Sequence, residues 1–108
     1  MCGITGFTRN DNDSGIDILK NMLKAISSRG PDHEGFDMAC GTYIGIRRLA
    51  IIDVENGNQP IFCNDGRYSI VFNGEIYNYR EINQMLNING RELKTNCDTE
   101  TILTGYLE

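Results

Sequence analysis

Cys2 directly follows the initiator methionine, and that position alone can give a cysteine unusual chemistry. Removal of Met1 by an aminopeptidase leaves a thiol and a free α-amine on one residue. Such an amine has an ordinary pKa of about 7.7–8.0, so a useful fraction is neutral base near neutral pH. It can take the thiol proton, directly or through water, as N-terminal threonine enzymes do. Other reactive or charged groups fall in short blocks: Arg29-Gly30-Pro31-Asp32, Arg47-Arg48, Asn73-Gly74-Glu75 and Asp98-Thr99-Glu100. Taken singly, these blocks read as a helix stop, solvated charges before a buried strand, a plain turn, and a helix N-cap at Asp98. His33 is the sole histidine. A Cys-His or Ser-His scheme would have to run through it, whereas an N-terminal nucleophile needs no histidine.

Composition narrows the function classes. A chain of 108 residues is one small domain or a piece of a larger one. Its 40% hydrophobic and 23% charged residues suit a soluble protein with a packed core. The net charge of -5, with no basic block, argues against nucleic-acid binding. No apolar run approaches the roughly 20 residues that cross a bilayer, and no signal-peptide pattern opens the chain. Cys2, Cys40, Cys63 and Cys97 are widely spaced without a C-x-x-C pair. That spacing favours free thiols in the cytoplasm over a zinc site or disulfide framework. The polar turn from Asn10 to Gly15 superficially suggests a calcium loop, but Asn21 stands where an EF-hand starting at Asn10 needs glutamate.

The elements that must position these groups follow from hydrophobic periodicity. Residues 4–8 read as a buried strand. A helix is expected over residues 15–28, because Ile16, Leu19, Met22, Leu23 and Ile26 share one face. Ser14 is its expected N-cap, with Asp17 completing an acidic capping box, and Gly30 and Pro31 end it. Strands are expected over residues 36–40 and 42–46, around Gly41, and over the apolar run 49–54. A hairpin over 61–63 and 68–72 is signalled by Asn64-Asp65-Gly66. A short helix over 81–86, a strand over 91–95 and a final helix from Asp98 complete the chain. The pattern is that of a layered α+β domain rather than alternating βαβ units. The final helix runs to the last residue with no C-cap, so an incomplete domain is expected.

Together, the blocks are more specific. Cys2-Gly3-Ile4-Thr5-Gly6, Arg29-Gly30-Pro31-Asp32-His33-Glu34-Gly35, Arg47-Arg48-Leu49-Ala50-Ile51-Ile52-Asp53, Asn58-Gln59-Pro60, Phe72-Asn73-Gly74-Glu75-Ile76-Tyr77-Asn78 and Asp98-Thr99-Glu100 occur in that order. The series resembles the glutamine amidotransferase domain of glutamine-hydrolysing asparagine synthetases, over essentially the whole chain. Other class II amidotransferases, such as glucosamine-phosphate synthase and amidophosphoribosyltransferase, share the leading Cys-Gly-Ile and an Asn-Gly block. The stretches from Arg47 to Asp53 and from Phe72 to Asn78 point to the asparagine synthetases instead. A non-catalytic domain that keeps the fold is a further alternative, and it would not need a free Cys2 amine.

The resemblance implies an Ntn-hydrolase fold, a four-layer αββα sandwich of antiparallel sheets, with residues 1–108 as its N-terminal part. It implies hydrolysis of L-glutamine to glutamate and ammonia with Cys2 as nucleophile. Asn73 and Gly74 would stabilise the oxyanion. Arg48 would fork onto the substrate α-carboxylate, Asp98 would receive the α-ammonium, and Glu75 with the backbone at Ile51 and Ile52 would complete the pocket. The glutaminase half needs no metal or cofactor. ATP and Mg2+ belong to a C-terminal synthetase domain that amidates aspartate, whose Ser-Gly-Gly-x-Asp loop is not among these residues. A cytoplasmic location and a homo-oligomer are compatible with the family. Ile46 stands where many relatives carry histidine, and Cys97 where serine is common.

Overall fold

The computed structural model describes residues 2–9, 14–51 and 54–108, with only the backbone described at Ile88. The polar run at 10–13, Ile52 and Asp53 lie outside the described residues, as does Met1. Three strands form the first antiparallel sheet: β1 (Gly3–Thr8), β2 (His33–Ala39) and β3 (Thr42–Arg48), in the order β1-β3-β2. β2 and β3 make a hairpin whose turn residues, Cys40 and Gly41, are both left-handed, with φ of 51° and 76°. This turn geometry matches the right-handed twist of the strands it joins.

The strand period of two sends Thr5 and Phe7 to the same face as Gly45 and Tyr43 across the β1–β3 register. Helix α1 (Gly15–Ala25) covers that face. Leu19 and Leu23 are wholly buried against Tyr43, with Phe7, Ile16 and Ile26 packed around them. The Phe7 and Tyr43 rings stack at 4.6 Å between centroids. Burial of leucines of this size stabilises the layer by about 1.5–3 kcal/mol each. The helix is shorter than its apolar stripe suggests: it ends at Ala25, and a 3-10 turn over Ser27–Arg29 follows. Ser14 does not cap it with its side chain; its φ is 63°, and its backbone carbonyl accepts from the Ile18 N–H at 3.1 Å.

The other face of the sheet meets a second layer. There β4 (Ile61–Phe62) and β5 (Ser69–Ile70) form a two-stranded antiparallel sheet. At its turn Gly66 takes φ of 72°. The Asp65 carboxyl is held down at about 2, first by the bond from the Cys63 thiol and then by the Arg67 N–H. Two bonds fasten this layer to β2: Ser69 Oγ donates to Asp37 at 2.9 Å, and His33 Nε2 lies 3.2 Å from the Gln59 carbonyl. Between them the Gln59 main chain rests on Gly35, where any Cβ would overlap the Gln59 carbonyl oxygen. Helices α2 (Tyr79–Ile88) and α3 (Asp98–Leu107) pack on one another beyond this sheet. Among the described residues the result is a small mixed α+β domain with two antiparallel sheets.

Among the described residues, two expected strands, over 49–54 and 91–95, do not form. Residues 49–51 leave the sheet because their backbone groups are taken elsewhere: Leu49 N–H donates to Cys2 Sγ at 3.3 Å and Ala50 N–H to Asp32 at 2.8 Å. Ile51 and Val54 are exposed. Residues 91–95 are irregular for a similar reason. The Lys94 and Thr95 N–H groups and the Thr95 hydroxyl all bond the buried Glu100 carboxylate. No described helix is long and apolar enough to cross a membrane.

Candidate functional site

A cavity of about 460 Å³ opens where β1, the end of β3, the segment after β5 and the start of α3 converge. The β1–β3 register pairs Gly3 with Arg47, which places Cys2 beside Arg48 at the cavity rim. The half-buried Cys2 thiol lies between the backbone groups of one residue, 3.3 Å from Leu49 N and 3.6 Å from Leu49 O. Arg29 Nε donates to the Cys2 carbonyl at 3.3 Å. Three residues on, the Asp32 N–H donates to the Arg48 carbonyl at 3.0 Å, and its carboxylate takes the Ala50 N–H. The Arg29–Asp32 turn therefore holds both the thiol-bearing strand and the segment carrying Arg48. None of the four cysteines is in a disulfide.

Arg48 is 3% exposed and its Nη1 donates to Asn58 Oδ1 at 2.9 Å and to the Val54 carbonyl at 3.3 Å. Its guanidinium is thus placed by the loop that follows it, with part of the side chain facing the cavity. Asp98 is 5% exposed. It is the first residue of α3 rather than its N-cap, a position taken by Cys97. Its carboxylate reaches across the cavity wall to accept the Ile76 N–H at 2.9 Å. A carboxylate in the first turn also lies in the positive end of the helix field. Arg48 and Asp98 therefore bring opposite formal charges to the lining of one cavity.

Asn73, Gly74 and Glu75 are solvent-exposed residues of the segment between β5 and α2, and all three line the cavity. Ile51 also lines the cavity. Cys2, Arg48, Ile51, Asn73, Gly74, Glu75 and Asp98 thus share one cavity, while Ile52 lies outside the described residues. His33 is outside the lining and serves the Gln59 carbonyl.

Four residues matter here beyond those singled out from chemistry. Arg29 bonds the Cys2 carbonyl and Asp32 the Arg48–Ala50 backbone, and Gln59 and Thr99 are buried in the cavity wall. All four sit inside the sequence blocks, but Gln and Thr carry no charge to draw attention. Their bonding becomes visible only when segments 40 residues apart meet, as Gln59 and Thr99 do.

Residues 1–108 match the glutamine amidotransferase domain family. Glutamine-hydrolysing asparagine synthetase 1 of Bacillus subtilis (strain 168) is 43% identical over 110 residues, covering 98% of this chain and 17% of that protein. Asparagine synthetase 2 of the same organism is 38% identical over 112 residues, covering 100% of this chain and 15% of the relative. The asparagine synthetase of Sandersonia aurantiaca is 34% identical over 110 residues, with shares of 100% and 21%. The chain therefore spans about a fifth or less of the length of these relatives.

Proposed function

The chain belongs to the glutamine amidotransferase domain family, and from that premise we propose that it hydrolyses the side-chain amide of L-glutamine with Cys2 as nucleophile. The observation that supports this reading best is the convergence of a thiol, a carboxamide, a guanidinium and a carboxylate on one cavity. Its volume of about 460 Å³ falls in the range of small-molecule sites. Arg48 takes the α-carboxylate and Asp98 the α-ammonium. Gripping both charges selects free glutamine over a glutamine within a peptide, which has neither.

The chemistry then runs on the chain's own residues. Loss of Met1 frees the Cys2 amine, which takes the thiol proton as Sγ attacks the amide carbon. The carbonyl electron pair moves to oxygen, where the Asn73 NH₂ and the Gly74 N–H donate to it. Collapse breaks the C–N bond, and the departing nitrogen takes the stored proton and leaves as ammonia. Water, deprotonated by the same amine, cleaves the glutamyl thioester and releases glutamate. The relatives are named glutamine-hydrolysing asparagine synthetases, which supports a following synthetase domain that takes up the ammonia; aspartate as its acceptor, with ATP and Mg2+, is part of this proposal. A four-layer Ntn sandwich and a cytoplasmic location complete this reading.

The test is glutamate release by the full-length protein, beside the intact mass of its N-terminus. Cys2→Ala should abolish glutaminase activity and spare synthesis from added ammonia. An active enzyme that retains Met1, or whose α-amine is blocked, would sink the N-terminal base mechanism.

A further inference from the structure

Gln59 is 5% exposed and sits in the cavity wall, yet its side chain is fully engaged with protein. Its Oε1 accepts the Phe72 N–H at 2.6 Å, and its Nε2 donates to the Phe72 carbonyl at 3.3 Å. The same Nε2 donates to Thr99 Oγ1 at 3.1 Å. One carboxamide therefore satisfies both backbone groups of the residue immediately before Asn73, as a neighbouring strand would. That is needed because β5 is paired only through Ser69 and Ile70, so nothing in the sheet sets the path at Phe72. The other partner, Thr99, is 1% exposed and immediately follows Asp98. Gln59 itself is fixed from behind, its carbonyl bonded by His33 and its main chain seated on Gly35.

We propose that Gln59 is a positioning residue for glutamine turnover, holding Asn73 at the reacting end of the substrate in fixed relation to Asp98 at its α-ammonium end. This rests on the functional reading above. Gln59 has no role in contacting substrate; it acts through the segment it holds. Loss of its bonds lets the Phe72–Asn73 backbone drift, and a displacement of about 1 Å at a reacting group can cost on the order of 10²-fold in rate.

The test is a double-mutant cycle in the full-length protein, with kcat and KM for glutamine and the thermal midpoint as readouts. Gln59→Leu should lower kcat roughly 10- to 100-fold, with a smaller change in KM. In an Asn73→Ala background the same change should cost less than about threefold, because the group it positions is already gone. Thr99→Val removes one partner while keeping shape, and serves if Gln59→Leu fails to fold. It should lower kcat about three- to tenfold, again with little further effect beside Asn73→Ala. A merely structural role would lower rates by the same factor in both backgrounds and would overturn the proposal. If Asn73→Ala itself leaves kcat unchanged, the assignment of Asn73 falls, and the role of Gln59 with it. If Asn73→Ala lowers kcat and the Gln59 effect is additive, only the positioning role falls.

Discussion

Arg48 and Asp98 are both almost wholly buried, and each meets the cavity with protein partners in place. Side chains held this way lose little freedom on binding, so more of the contact energy reaches the ligand. Arg48→Lys keeps the charge but loses the planar fork. It should chiefly raise the glutamine KM, read from steady-state kinetics of glutamate release. Asn73→Ala should instead lower kcat, by up to about 10²–10³-fold if its amide meets the oxyanion. A change confined to KM would move Asn73 to substrate binding. That these residues share one cavity was legible only from the ordered blocks and their resemblance; taken singly, Arg47-Arg48 and Asn73-Gly74 read as solvated charges and a plain turn. Asp98 was only half legible. Its place at a helix start was plain, but whether its carboxylate caps its own helix or reaches the Ile76 N–H is decided by packing.

At the scale of elements, the hairpins and helices follow from turn residues and periodicity, while two apolar or alternating stretches misled. Residues 49–54 and 91–95 look like strands, but the N–H groups of Leu49, Ala50, Lys94 and Thr95 are taken by Cys2, Asp32 and Glu100. Periodicity reports which face is apolar and says nothing about where a backbone donor goes. Glu100 also shows how such a segment serves the site. By gathering Lys94 and Thr95 it fixes the approach to Cys97 and Asp98. Glu100→Ala leaves the part-buried Lys94 and Thr95 donors without this partner, at a cost of about 1 kcal/mol. The expected outcome is a lower urea midpoint together with a raised glutamine KM through displacement of Asp98. An unchanged KM would confine Glu100 to stability.

For the whole molecule, the apolar surface left in contact with solvent is large. Ile4 is 51% exposed, Phe62 50% and Tyr106 73%, on a chain about a fifth or less as long as the relatives above. Large apolar side chains exposed on so short a chain favour contact with further protein, and where they lie together they mark surfaces that other protein covers. The 108 residues produced alone should therefore aggregate as concentration rises and hydrolyse glutamine more poorly than a longer form that completes the domain. Light scattering beside kcat/KM checks this, and a monomeric, fully active short form would contradict it. The contact of Gly35 with the Gln59 main chain has its own consequence at this scale. In a saturation-mutagenesis map scored by glutamine use, position 35 would tolerate almost nothing and look like a catalytic group. It touches no substrate. Sensitivity in such a map would trace how closely two layers of backbone are pressed together, and a reader seeking chemistry at position 35 would find only the absence of a side chain.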